Sequence, residues 1–306
     1  MKSPLLELNN TRPPRCGRAS LVLLLVLCLC AGAWAQVNSG STGADGPFNP
    51  TTNTVINMAD HPDGIYHYTS VNITNTVQVT FIPNANNTPV VWLVQSNCLI
   101  NGVVDVSGQS SPATGIAGVG GPGGNRGGNG GTTSNSGLGA GGGFAGNPGG
   151  NASFGSLGQT NQTTPPGSIY GNNFLIPLIG GSGGGGSTVF TSPPGGYSAG
   201  GGGGGAILIA ASGTLAVNGI IYAYGGSGGY SWGGAGSGGS IRLVASTVTG
   251  YGSLDANGGL NQFFNTRGGL GRVRIDAFDC NYGGPFVGVF TKGFQPIIIP
   301  TAGQGA

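Results

Sequence analysis

Charge is what this sequence has least of. Only 6% of its 306 residues are charged, and Glu7 is the sole glutamate. Lys2, Arg12, Arg15 and Arg18 sit in the first 18 positions. The rest of the chain sets Arg126, Arg242, Arg267, Arg272, Arg274 and Lys292 against seven Asp. A near-neutral chain without a basic patch or acidic tail argues against nucleic acid as a partner. Dispersed Asp and no Glu beyond residue 7 leave little for the paired carboxylates of a glycosidase. Cysteine is scarce as well: of five, only Cys98 and Cys280 lie beyond residue 30. No helical period is visible, and no Lys-Ser/Thr follows a glycine run, which excludes a phosphate-binding loop.

Glycine is what the sequence has instead. It holds 68 glycines and 19 prolines. That composition usually marks low complexity, but here the glycines separate clean apolar runs, so those runs are expected to be ordered.

The chain is organised around Gly201–Gly258, where one unit is written twice. Ile207 and Ile209 align with Ile241 and Leu243, Leu215 with Val248, and Ile221 with Leu254. The first copy holds three strand-like runs, Ala206–Ala210, Thr214–Val217 and Ile220–Tyr224, parted by Ser212-Gly213 and Asn218-Gly219. Alternation of apolar with small or polar residues is the mark of a half-buried strand. Such short strands bury a core only by stacking unit on unit. The fold class predicted is all-β: a short right-handed parallel β-helix (solenoid) with a long glycine-rich insertion. A further copy is read at Pro89–Gly108, with Val91 and Leu93 matched to Ile207 and Ile209, and another at Val273 and Ile275. The expected core is Val91, Leu93, Cys98, Ile100, Val104, Ile207, Ile209, Leu215, Val217, Ile221, Ile241, Leu243, Val248, Leu254, Val273 and Ile275. Trp92, Leu208, Arg242, Arg272, Arg274 and Asp276 fall on the face assigned to solvent.

The remaining segments follow from composition. Residues 1–35 read as a secretory signal peptide: a basic start, the apolar run Leu21–Cys30, and Ala33-Trp34-Ala35 before a cleavage site after Ala35. The apolar run is short for a membrane span, so no stable span is expected after cleavage. Residues 36–64 form a polar N-terminal segment, 65–108 the first β-helix layers, 206–280 the main repeats and 281–306 a C-terminal cap or tail. Residues 109–205 are the insertion, open to two readings: irregular glycine-rich layers against one side of the solenoid or, preferred here, a mostly irregular excursion with Ile169–Ile179 docking back. Val287–Phe290 and Pro296–Pro300 are candidate terminal strands.

Candidate chemistry is thin. Asp60, His61, Asp63 and His67 form the one His/Asp cluster, but Pro62-Asp63-Gly64 is a strong turn signal in which Asp caps its own backbone. Asp105 and Asp255 occupy one position of the third strand, with Tyr222 there in the copy between. Two carboxylates fall short of calcium's six to eight oxygens, so no metal or other cofactor is expected. Tyr222, Tyr224, Tyr230 and Trp232 lie close in sequence, an aromatic group suited to sugar rings or protein surfaces, or simply to stacking along a sheet. An ice-binding array is not supported, because the outward positions carry no row of Thr. Cys98 takes an inward position. Cys280 follows about three layers later, some 14 Å at ~4.8 Å per layer, too far for a disulfide.

The stretches NPTTNTVINMADHPDGIYHYTSVNI from Asn49, NNTPVVWLV from Asn86, INGVVDVSG from Ile100, GGGGGAILIAASG from Gly201, GGSIRLVAS from Gly238 and GRVRIDA from Gly271 together resemble a family of glycine-rich exported bacterial proteins with parallel β-helix-like repeats. The resemblance implies an exported β-solenoid and carries over no catalytic residues. The function expected is a secreted or cell-surface structural or adhesion-type protein, not an enzyme, that presents a solenoid face to extracellular glycans or surface proteins. Its candidate ligand-binding residues are Tyr222, Tyr224, Trp232, Asp105 and Asp255. The alternative is a carbohydrate-active enzyme, a polysaccharide lyase or glycosidase, using Asp105, Asp255 or Asp276.

Overall fold

A computed structural model describes residues 37–112, 114–191, 195–229 and 232–294. The expected signal peptide, Tyr230 and the strand expected at Pro296–Pro300 lie outside the described residues. The protein is all-β. Its strands are β1 (Gly46–Phe48), β2 (Thr54–Asn57), β3 (Ile65–Ile73), β4 (Gln78–Ile82), β5 (Val90–Val94), β6 (Cys98–Ile100), β7 (Val103–Asp105), β8 (Phe190–Thr191), β9 (Gly196–Tyr197), β10 (Ala206–Val217), β11 (Ile220–Tyr222), β12 (Ser240–Gly250), β13 (Ser253–Asp255), β14 (Leu260–Asn261), β15 (Thr266–Arg267), β16 (Arg272–Tyr282), β17 (Phe286–Val287) and β18 (Val289–Gly293). A 3-10 turn at Met58–Asp60 is the one helical element among the described residues. No helix of the described residues is long and apolar enough to cross a membrane.

Two parallel sheets carry the fold. The first runs β1-β3-β5-β10-β12-β16-β18, with β6 beside β10 and β3; the second runs β17-β13-β11-β7-β4-β2. Each pass of the chain contributes to both, because a tight turn such as Asn218-Gly219 separates β10 from β11. The repeat alignment is seen directly: Ile207 pairs with Ile241 and that with Val273, Leu215 with Val248, and Ile221 with Leu254. The first two runs of each unit are one strand bent at a bulge. Between Ala211–Ala245 and Thr214–Thr247, β10 spends one more residue than β12, which turns the strand without breaking the ladder.

Between the sheets lies one core. It contains Val90, Trp92, Val94, Cys98, Ile100, Val104, Ile207, Ile209, Leu215, Ile221, Ile241, Leu243, Leu254 and Ile275. Full burial of each aliphatic side chain stabilises by about 1.5–3 kcal/mol. The copy at β5 is one residue out of the expected phase. Ile207 pairs with Val90, and Ile209 with Trp92. Val91 and Leu93 therefore point away from this core, and Trp92, expected outside, is fully buried within it against Phe48, Tyr68 and Phe81. The physical reason is that β5 is apolar at all five positions, so nothing in it marks the phase of the alternation.

The outer face of the first sheet is also covered, contrary to expectation. A second core joins Val91, Leu93, Leu208, Ala210 and Val244 to Val37, Phe154, Leu175 and Leu178. Leu208, Arg242, Arg272, Arg274 and Asp276 are all buried beneath this cover. Period-two alternation assigns side chains to faces; it does not tell that a distant segment will lie over the second one.

That segment follows the reading of glycine-rich layers laid against one side of the sheets, rather than that of an irregular excursion. The glycine passes within 109–205 join those at Gly225–Gly229, Gly233–Gly239 and Gly268–Gly271 in a hydrogen-bonded bundle. Gly200–Gly205 runs through it. Its N–H groups donate in turn to Gly128, Gly234, Gln109, Asn125, Ser237 and Val106, so that every third residue serves the same neighbour. Its carbonyls accept from Gly118, Gly184, Gly226, Gly121, Gly181 and Ser240. Six passes thus surround one strand. The period of three, with no bond inside the strand, is that of polyproline-II geometry. None of these six glycines has positive φ. What requires glycine is space: a Cβ on Gly203 would run into the carbonyl of Gly181, and one on Gly184 into that of Gly234. Such close approach of backbones tolerates no side chain. The expected docking of Ile169–Ile179 is present, since Tyr170, Leu175, Leu178 and Ile179 pack into the second core.

Candidate functional site

The second sheet turns one flat row of side chains outward. Val55, Thr80, Asp105, Tyr222, Asp255 and Val287 are successive register partners along it. Sequence alignment put Asp105, Tyr222 and Asp255 at one position, and the strands stack them in that order. Neighbouring layers are about 4.8 Å apart, so Tyr222 sits between two carboxylates.

Each carboxylate is held the same way. Asp105 Oδ1 accepts from Ser107 N at 2.9 Å, and Asp255 Oδ1 from Asn257 N at 3.1 Å. The second oxygen faces a side-chain donor: Gln78 Nε2 at 3.5 Å for Asp105, Tyr224 Oη at 2.8 Å for Asp255. Tyr224 packs against Tyr222 with ring centroids 4.6 Å apart. Burial first, and then the Asp255 carboxylate, push the Tyr224 phenol well above its usual range. Both rings are half-buried. The result is a patch of two aromatic faces and two carboxylates on rigid strands, able to stack on a flat ring and accept hydrogen bonds from its hydroxyls.

Trp232 does not join this patch. Its ring stacks on Phe263 at 5.7 Å and meets Phe264 edge-on at 5.2 Å, on loops of the glycine bundle. Closeness in sequence misled here, because the chain leaves the sheet at Ala223 and enters the bundle before it reaches Trp232.

The Arg–Asp group is a packing device. Asp276 is fully buried between Arg242 Nε (3.0 Å) and a bidentate Arg274 (3.0 and 2.6 Å). Arg272 donates to Asn173 Oδ1 and to the Tyr170 carbonyl, and lies over the Phe154 ring. Desolvation lowers the pKa of Arg242 and of Arg272. These bonds tie the covering segment 170–174 to the first sheet.

Two other groups complete the picture. His61 Nε2 lies 3.5 Å from Asp45 Oδ1, His67 Nδ1 accepts from Thr42 N, and Asp63 Oδ1 caps Ile65 N. No group of three or more His, Cys, Asp or Glu placed to hold a metal occurs among the described residues. A cleft of about 490 Å³ is lined by Asn84, Asn87, Gln109, Asn125, Arg126 and Leu138, among others. Sequence reasoning did not find it, since its residues come from separate loops. Most of its amides are already engaged: Asn84 with the His61 carbonyl, Asn87 with that of Gly124, and Asn125 with that of Gly181.

Comparison of the chain with protein-family models, with curated proteins and with solved structures finds no match.

Proposed function

We propose that this protein is an exported structural or adhesion-type surface protein, non-enzymatic, that presents the outer face of its second sheet to glycans or to other surface proteins. Export rests on the signal-peptide pattern of residues 1–35. The finer fold reading belongs to the same proposal: a short right-handed parallel β-helix, of the kind suggested by the resemblance to glycine-rich exported bacterial proteins. It is supported by two parallel sheets to which successive passes each contribute. The observation that carries the functional reading is the row Asp105–Tyr222–Asp255 with Tyr224 beside it, an aromatic and hydrogen-bonding surface on a rigid frame.

The alternative is a carbohydrate-active enzyme. Asp276 is a poor candidate for its chemistry, being enclosed by Arg242 and Arg274. Asp105 and Asp255 each commit one oxygen to the backbone and sit on an open face, unlike the apolar pocket that makes a carboxyl a general acid.

A glycan-array screen of the purified protein, with reducing-sugar release measured on every hit, tests both. Binding without release that weakens in Tyr222→Ala and Asp255→Asn is the expected result. Release that disappears in Asp105→Asn or Asp255→Asn would establish the enzyme. Neither binding nor release would remove glycans from the proposal.

A further inference from the structure

The interior of the glycine bundle has no room for large side chains, and its loops carry them instead. Hydrogen bonds gather several of these loops. Gly149 N donates to the Trp232 carbonyl, Asn161 Nδ2 to the Gly149 carbonyl, Thr266 Oγ1 to Asn161 Oδ1, and Asn261 Nδ2 to the Gly233 carbonyl. At their centre is the hairpin β14–β15. Its turn is preset: buried Asn261 accepts from both Phe263 N and Phe264 N at 3.1 Å, and Asn265 adopts φ +50°.

What this preset turn does is hold rings in water. Phe263 is 60% exposed, stacked on Trp232 and braced edge-on by Phe264 at 4.8 Å. Gln262 and Asn265, both exposed, belong to the same turn. At the base of the same hairpin stands exposed Arg267, whose guanidinium donates to the Gly258 carbonyl at 3.4 Å. No carboxylate lies within 4.0 Å of it among the described residues. The insertion 109–205 contains Arg126 and not one acidic residue. The bundle is therefore weakly cationic, whereas the row on the second sheet is acidic.

We propose that Trp232, Phe263 and Arg267 form a binding site for an acidic sugar chain, separate from the sheet face and not dependent on it. One pyranose ring stacks on Phe263, the planar amides of Gln262 and Asn265 meet its hydroxyls, and the carboxylate of a neighbouring uronic acid pairs with Arg267. An aromatic face binds a ring with little loss of entropy, because the turn already fixes it. A guanidinium fork matches a carboxylate in charge and in shape.

The test is titration of the purified protein with polygalacturonate and with alginate, each against its fully methyl-esterified form. The acidic polymers are expected to bind about tenfold tighter than the esters, and Arg267→Gln to abolish that preference. Phe263→Ala, at an exposed position, should fold normally and lose binding to both forms. Tyr251→Ala, exposed at the turn between β12 and β13 and part of neither site, should leave all of this unchanged. No binding to either acid, equal binding to acid and ester, or binding untouched by Phe263→Ala and Arg267→Gln would overturn the proposal. Loss with Tyr222→Ala but not with Phe263→Ala would place the ligand on the sheet face instead.

Discussion

Tyr224 Oη donates to Asp255 Oδ2 across 2.8 Å, joining two adjacent layers of the second sheet through their side chains. That phenol is one of five whose ionisation opposes the fold. Burial is the largest cause in each: it pushes Tyr66, Tyr170 and Tyr282 up to about 12 and takes Tyr68 and Tyr224 higher still. An unfolded tyrosine titrates near 10. The stability these groups contribute is therefore complete below pH 10 and is lost as pH climbs from there through the folded values. An absorbance titration of phenolate should show the phenols of Tyr66, Tyr68, Tyr170, Tyr224 and Tyr282 lagging behind the denatured chain near pH 11, followed by cooperative unfolding. Ionisation of these five near pH 10 with the fold intact would contradict the burial described.

Glycine replacements should sort by space rather than by backbone conformation. Gly→Ala ordinarily stabilises by about 0.4–1 kcal/mol when the site accepts a methyl group, because the unfolded chain has less freedom to lose. At Gly203 and Gly184 the methyl group would overlap a neighbouring carbonyl, and the whole bundle would have to open. Those variants should lose about 1–3 kcal/mol or more, the cost of overpacking a tight interior. Gly131 is the control, since a Cβ there would meet nothing closer than the Thr133 carbonyl at 3.5 Å. Gly131→Ala should be neutral or mildly stabilising by denaturant unfolding. Equal effects at all three positions would mean that the close packing is not what holds the bundle.

The repeat was legible because it is redundant. Ile207, Ile241 and Val273 carry the same alternation in three copies, and the strands pair in that register. Cys98, Leu215, Val248 and Cys280 follow one another along one row, so the two cysteines lie three layers apart, as their spacing implied. The phase of β5 was not legible, since Val90-Val91-Trp92-Leu93-Val94 has no polar residue to set it. The bundle was not legible for a different reason. Its order comes from backbone bonds among passes far apart in sequence, such as Gly203 to Asn125 and Gly204 to Ser237. Side-chain patterns, on which reading a sequence depends, are silent about backbone partners. Of the candidate site, Asp105, Tyr222, Tyr224 and Asp255 came together because they belong to aligned copies, while Trp232 lies past the last strand of its own copy, in the loop before β12.

The burial of Asp276 makes the most severe single prediction. This carboxylate is wholly enclosed and bonds both Arg242 and Arg274, which are themselves buried. Asp276→Asn keeps the size and part of the hydrogen bonding but leaves two guanidiniums facing each other in a medium where charges are weakly screened. Breaking a buried pair from one side costs about 3–5 kcal/mol. The loss should appear first where these arginines do their packing, at the segment 170–174 that Arg272 and Arg274 hold to the first sheet. Denaturant unfolding should register the cost, and amide exchange should show the segment opening before the strands. Asp279→Asn, on the same strand but exposed, is the reference and should change stability by less than about 0.5 kcal/mol. If the two variants unfolded at the same denaturant concentration, the Arg242–Asp276–Arg274 cluster would not be the clamp that closes the cover over the sheet.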